Sequence, residues 1–343
     1  MDKTLSQAAG LIAAAKTIVI STHVMPDGDG LGAEIALYHY LKRSGKVVRV
    51  LNPDPVPERY QFLDSAGVLD VVKPKMKPPV CDLLVIVDTN EPDRLGPIWE
   101  LFRKSAKNIL FLDHHPILHN SEHIHENEAK VHEVIDERSS SIGELLYRLF
   151  HQAHHLLDPS SPAFRLSPEI ALGLYVSIMT DTNSFRYSKT TALSHRIAAD
   201  LIDYGLQPEE IYSNIFSSKT IQHLQLIGEV LSKAKEYSRG KNKGSVVYIE
   251  ITKSLRQRFG AKADDTQSIV NFLLLVKNAE ILVMLREEDD GKIKGSLKSK
   301  TSFKVNSIAQ SFGGGGHDYA AGFLSSESLS AVRDKLLSIL LKA

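Results

Sequence analysis

Thr17-Ile18-Val19-Ile20-Ser21, followed by His23-Val24-Met25-Pro26-Asp27-Gly28-Asp29 and then by an apolar-periodic run from Leu31 to Ser44, is the stretch that decides the fold. A short apolar run that feeds a polar loop and then a helix is the opening of a βα unit. A chain that repeats the unit builds a mainly parallel sheet flanked by helices. Gly45 stands where a C-cap glycine belongs. The unit does repeat: strands are predicted over Lys46–Leu51, closed by Pro53, Pro55 and Pro57, then over Leu83–Val87 and Asn108–Leu112. Ser141-Ile142-Gly143-Glu144 reads as a capping box opening a helix to Phe150. Pro168 opens another helix through Met179.

Further along, residues 190–230 look helical and polar and read as a connector. After it come strands at Ser245–Ile251, Ala279–Arg286 and Lys292–Lys298, the last two around Asp289-Asp290-Gly291. Helices are expected over Thr266–Lys277 and Lys304–Phe312, then a short strand at Phe323 and a closing helix. The expected organisation is therefore an α/β domain over 1–190, a helical connector over 191–230 and a smaller α/β domain over 231–343. The length of 343 residues agrees with two domains at roughly 150 residues each.

The 41 basic and 41 acidic side chains cancel to zero net charge. That balance argues against binding long duplex nucleic acid by bulk charge, and it leaves room for a small phosphorylated substrate in one local site. Cys81 is the only cysteine, which excludes an intrachain disulfide and a thiolate zinc site, and a structural role is expected for it. The apolar runs are too short for a membrane span. Leu5, Ala8, Ile12 and Ala15 fit an amphipathic first helix rather than a signal segment, and a cytoplasmic protein is expected.

Three predicted strands end in the same kind of residue: the first in His23, Asp27 and Asp29, the third in Asp88, the fourth in Asp113-His114-His115. In a parallel sheet the C-terminal strand ends share one edge, where ligand crevices form. The helix from Pro168 adds Asp181. Carboxylates crowded on one edge repel, and bare ones take up protons; a divalent cation removes the conflict. Carboxylate plus imidazole without thiolate suits manganese, or magnesium where oxygen ligands dominate. The supply exceeds the need of one ion, and two ions sharing a carboxylate match it better. Asp88, central in the sheet order, is the natural bridge. Gly28-Asp29-Gly30-Leu31-Gly32 also follows a strand, but its spacing and its acidic residues do not suit a dinucleotide pyrophosphate.

Gly313-Gly314-Gly315-Gly316 before His317 costs backbone entropy and is not read as packing; it would let backbone N–H groups converge on an anion. His317, Lys298 and Lys300 stand close by in sequence. His119, His123, His125 and His132 form a tract without clean ligand spacing and read as an exposed loop. Phe185, Tyr187, Phe312 and Tyr319 read mainly as packing residues.

Taken in order, His23-x-x-Pro26-Asp27-x-Asp29, Asp88, Asp113-His114-His115 and Asp181 resemble the motifs of the DHH phosphoesterases. Gly313 to His317 resembles the signature of the DHH-associated C-terminal domain. The length resembles the oligoribonuclease (nanoRNase)/pAp phosphatase branch. The resemblance implies one manganese on His23, Asp27 and Asp88 and another on Asp29, Asp88, His114 and Asp181. Asp113 would orient His114, and His115 would face the scissile phosphate or the leaving oxygen. Gly314, Gly315, Gly316, His317 and Lys298 would hold the far phosphate, with the site in the cleft between the domains. It implies an enzyme acting on short single-stranded RNA or dinucleotides such as pGpG and pApA, and on the 3′-phosphate of pAp, and a homodimer. Alternatives are a polyphosphate or pyrophosphate hydrolase with the same site and a non-catalytic nucleotide-binding protein. Two positions depart from the pattern: Asn183, where many relatives carry glycine, and Lys298, where relatives often carry arginine.

Overall fold

A computed structural model describes residues 3–117, 129–159, 163–217, 220–241, 243–300 and 303–342. The chain divides into two compact units, Met1–Ser218 and Lys219–Ala343. The boundary cuts through the stretch 191–230, whose helices are shared between the two cores.

The first unit carries strands β1 (Thr17–Ser21), β2 (Val47–Asn52), β3 (Leu69–Val71), β4 (Leu83–Val87), β5 (Asn108–Asp113) and β6 (Lys130–Ile135). Its helices are α1 (Lys3–Ala14), α2 (Gly28–Arg43), α3 (Pro97–Phe102), α4 (Ile142–Gln152), α5 (His154–Leu157), α6 (Pro168–Asp181), α7 (Ala192–Ile202) and α8 (Pro208–Phe216). The sheet runs β3-β2-β1-β4-β5-β6, with every pair parallel. Strand order reverses between β1 and β4, the position at which such sheets open a ligand crevice at their C-terminal ends.

Alternation along the strands divides the core. Ile18, Ile20, Val85, Val87 and Leu110 face α1, α2, α4 and α6, while Val19, Leu84, Ile86 and Phe111 face α3. Strands buried on both faces read as continuous apolar runs, which is why β1, β4 and β5 are legible in the sequence. The edge strands are not. β3 has three residues, and β6 (Lys-Val-His-Glu-Val-Ile) is polar. His132 therefore lies in a strand rather than a loop, between Gln7 and Asn108. His119, His123 and His125 lie outside the described residues.

Helix α2 starts earlier than Leu31 because the Asp27 carboxylate caps it, accepting from Asp29 N at 2.9 Å. The residues that read as a loop are thus its first turn. The glycines of that turn serve close packing: a Cβ at Gly30 would strike Thr22, and one at Gly32 would be driven into the carbonyl oxygen of Gly173 on α6. Gly173 meets the Gly32 carbonyl in the same way, so α2 and α6 cross with backbones almost touching.

The second unit carries β7 (Lys235–Tyr237), β8 (Ser245–Ile251), β9 (Ala279–Glu287), β10 (Ile293–Ser299), β11 (Gly315–His317) and β12 (Ala320–Ser325), with α9 (Ile221–Ser232), α10 (Lys253–Arg258), α11 (Asn306–Ser311) and α12 (Leu329–Lys342). The sheet order is β11-β12-β10-β9-β8-β7; β8 and β9 are parallel and the other pairs antiparallel. One face packs on α12 and α11. The other packs on α9 and on a 3-10 helix, Asp264–Leu275, which stands where the apolar spacing predicts an α-helix. No helix of the described residues is long and apolar enough to cross a membrane.

The crossing of α2 and α6 is testable. Alanine at Gly32 gains about 0.5–1 kcal/mol of helix preference but must push a backbone away, an overpacking cost of about 1–3 kcal/mol. Gly32→Ala is expected to lower the urea midpoint of unfolding; an unchanged or raised midpoint would contradict the close approach.

Candidate metal centre

The ends of β1, β4 and β5 and the C-terminus of α6 bring the predicted residues of the first unit together. Three groups have ligand atoms mutually within 4.8 Å: His23, Asp27 and Asp88; Asp29, His114 and Asp181; and Asp88, Asp113, His114 and His115. Asp88 stands between them. Its Oδ2 lies 3.4 Å from His23 Nε2, and its Oδ1 lies 3.7 Å from both His114 Nε2 and His115 Nδ1. The residue has φ +65°, a left-handed conformation that Asp and Asn tolerate better than most side chains. That conformation turns the chain as it leaves β4.

His114 is fully buried, and its Nε2 lies 3.2 Å from Asp29, 3.6 Å from Asp181 and 3.7 Å from Asp88. The same atom makes no directed hydrogen bond. Its Nδ1 is 3.3 Å from the carbonyl of Ser139, which fixes the ring from behind, and Lys189 Nζ approaches at 3.4 Å. Asp113 does not act on the His114 ring as expected from sequence. Its Oδ1 accepts from the backbone N–H of His114 and His115 and lies 2.9 Å from His115 Nδ1. It therefore orients His115, whose side chain is 40% exposed while Asp113 is buried.

Electrostatics show how the cluster is held. Burial raises the Asp29 carboxyl, and the charge of Asp88 raises it further, to about 6. Burial raises Asp181 as well. Asp88 also meets a burial penalty, but the close approach of His114 and His23 and the charge of His23 and His115 hold it well below the usual carboxylate range. Burial would lower the His114 imidazole, yet Asp29 and Asp88 outweigh it and push it up to about 11. A protonated His114 thus stands in for a cation among the carboxylates. A buried imidazole nitrogen without a hydrogen bond, aimed among three carboxylates, fits a divalent ion, and the nitrogen and oxygen donors suit it. The buried Asp113 Oδ2 is likewise without a partner.

Several residues of the site give no signal in the sequence: Ser139 and Lys189 behind His114, and Ser177 and the Ile142 N–H beside Asp29. All are brought in by helices or loops distant along the chain. The box at Ser141 is half of one: Ser141 caps Glu144 N at 3.1 Å, but the Glu144 carboxylate turns to Ser140 and Ser194, each at 2.8 Å. Asn183 has φ +48° and is followed by Ser184 and Phe185, also left-handed. Glycine adopts that conformation freely and Asn tolerates it, which explains the departure from glycine. Phe185 packs against Tyr175 and His195, and Phe312 stacks on Phe323. Buried Cys81 has its thiol pushed up to about 11 by burial, consistent with an unreactive group.

In the second unit, Lys298 on β10 and His317 on β11 pair with the same residue, Ala320 on β12, so the register sets the two positions in one row. Burial lowers the Lys298 ammonium. Packing does account for part of the glycine run. A Cβ at Gly314 would strike the Gly322 carbonyl and Phe323. The Gly313 and Gly314 N–H groups are spent on the Gln310 and Ala309 carbonyls, each at 2.9 Å. Gly315, Gly316 and His317 form an edge strand, whose outer row of backbone groups is unpaired in that sheet.

Comparison with known proteins identifies the family. Residues 17–178 match the DHH family N-terminal domain and residues 243–342 the DHHA1 domain. The chain is 30% identical over 306 residues to the bifunctional oligoribonuclease and PAP phosphatase NrnA of Thermus thermophilus, covering 89% of this chain and 83% of that protein. It is 26% identical over 311 residues to the protein of the same name from Bacillus subtilis, covering 89% and 88%. An exopolyphosphatase-related protein from Bacteroides fragilis superposes with a TM-score of 0.84 at 26% identity, over 100% of this chain and 98% of that one. With a carboxylate–imidazole cluster at the parallel-sheet edge and both domain types in order, the chain belongs to the DHH family of phosphoesterases, in the branch of the oligoribonuclease and PAP phosphatase proteins.

Proposed function

We propose that this protein hydrolyses very short RNA oligomers, dinucleotides such as pGpG and pApA included, and removes the 3′-phosphate of pAp, with two manganese ions. The observation that carries this reading is the disposition of Asp88, whose two oxygens face separate imidazoles, His23 and His114. One ion would be held by His23, Asp27 and Asp88, the other by Asp29, Asp88, His114 and Asp181. When bound, such a pair supplies Lewis acidity toward a phosphoryl oxygen and lowers the pKa of a water. The chain's own groups do the rest. Asp113 holds His115 by Nδ1, so Nε2 is the atom left to carry a proton toward the leaving oxygen. On the second unit, Gly315, Gly316, His317 and Lys298 would grip the far phosphate or terminal nucleotide, with Gly314, its N–H spent on Ala309, letting the backbone approach. Lys298 brings charge without the bidentate fork of arginine. A grip on a terminal phosphate would act as a ruler favouring short substrates. Magnesium is the alternative ion, and a cytoplasmic homodimer is part of the same reading.

A panel of RNAs from about two to thirty nucleotides, with pAp, pyrophosphate and polyphosphate, tests the substrate class in manganese. The shortest RNAs and pAp should turn over fastest. Equal or faster turnover of the long RNAs removes the ruler, and phosphate release from polyphosphate alone would replace the nucleotide reading.

Asp88→Asn keeps a side chain that accepts the left-handed backbone and removes the bridging charge. Turnover should fall by more than about a hundredfold, beyond what loss of an outer partner of a ligand costs, with the far-ultraviolet circular dichroism unchanged. Activity near the native value would refute the assignment.

His114 lies above its ordinary value, so without metal it holds its proton at pH 7; an ion on Nε2 must displace it. Manganese binding should therefore release at least one proton at pH 7 and tighten as pH rises. Calorimetry in two buffers of different ionisation enthalpy counts the protons, and no release would contradict ligation by His114.

A further inference from the structure

Ser177 is fully buried on α6 and is not among the ligands named above. Its Oγ donates to Asp29 Oδ1 and accepts from the Gly143 N–H at 2.6 Å. The direction of both bonds follows from the donor inventory. The amide can only donate, so the single hydroxyl proton is aimed at the carboxylate. The Ile142 N–H, 3.1 Å from both Asp29 oxygens, completes the grip at the N-terminus of α4. The outward oxygen, Oδ2, is then left 3.2 Å from His114 Nε2.

Close helix contact makes this reach feasible. Gly32 and Gly173 bring α2 against α6, and a Cβ at Gly143 would fall 2.5 Å from Ser177 Oγ. Asp29 on α2, Ser177 on α6 and the first amides of α4 therefore meet at one buried point.

We infer that Ser177 is a positioning residue for the ion shared by Asp29, His114 and Asp181: its hydroxyl fixes the Asp29 rotamer and turns Oδ2 toward that ion. This rests on the two-ion reading above. Ser177 does not touch His23, Asp27 or Asp88 in this way, so its loss acts on one ion and spares the other.

Manganese binding to the full chain, read by the paramagnetic resonance signal of free manganese, tests the inference without reference to turnover. The native protein should take up two ions. Ser177→Ala should weaken one of them by about tenfold or more, as loss of an outer partner of a metal ligand does, and shift the other by less than about twofold. Ser177→Cys, which keeps the size and a weak donor, should give a smaller loss at the same ion and serves if the alanine variant folds poorly. Ser194→Ala removes another buried hydroxyl, one bonded to Glu144 rather than to Asp29. It should leave both affinities unchanged. Superimposable binding curves for the native and Ser177→Ala proteins would overturn the positioning role, as would equal weakening of both ions in Ser177→Ala and Ser194→Ala. A native chain that binds no manganese would instead overturn the two-ion reading.

Discussion

Repulsion among the carboxylates of Asp27, Asp29, Asp88, Asp113 and Asp181 is the constraint around which the first unit is arranged. They converge on one edge of a parallel sheet, where low local polarity strengthens every charge–charge term. The fold meets this in two ways. It interleaves His23, His114 and His115, whose imidazoles the neighbouring carboxylates make more basic. It also ties individual carboxylates to backbone N–H groups: Asp29 to Ile142, and Asp113 to His114 and His115. Such an arrangement gathers oxygen and nitrogen donors of the kind that suit a divalent ion.

Helix packing behind the sheet serves the same end. α2 carries Asp29 and α6 carries Asp181, and the glycine contact between them sets how far apart those two carboxylates lie. A larger residue at the crossing would move a site carboxylate as well as a helix, so stability and site geometry are tied at Gly32 and Gly173. The same economy appears at Asp27, which caps α2 while its carboxylate stays in reach of His23 and Asp88. A cap at a helix N-terminus also places negative charge where the helix dipole favours it.

Legibility from sequence follows burial. β1, β4 and β5 are buried on both faces and write continuous apolar runs. Those runs alone locate their ends, and with them His23, Asp88 and Asp113-His114-His115. β3 and β6 sit at sheet edges and carry polar residues, so periodicity does not mark them. The 3-10 helix at Asp264–Leu275 shares its apolar spacing with an α-helix closely enough that periodicity alone does not separate them. The glycine run is legible only in part, because what Gly314 avoids is the Gly322 carbonyl on a neighbouring strand, a contact with no local trace.

By itself the sequence determined the parallel sheet, the existence of a second α/β unit and the set of acidic and imidazole residues, because these follow from local periodicity and from residue type. Tertiary structure alone decided which group serves which: that Asp113 holds the ring of His115 rather than that of His114, that Ser139 fixes the His114 ring, and that Ser177 and the Ile142 N–H grip Asp29. Those pairings join residues up to 148 positions apart. They are fixed by helix crossings and strand order, which place side chains in space without leaving a pattern along the chain.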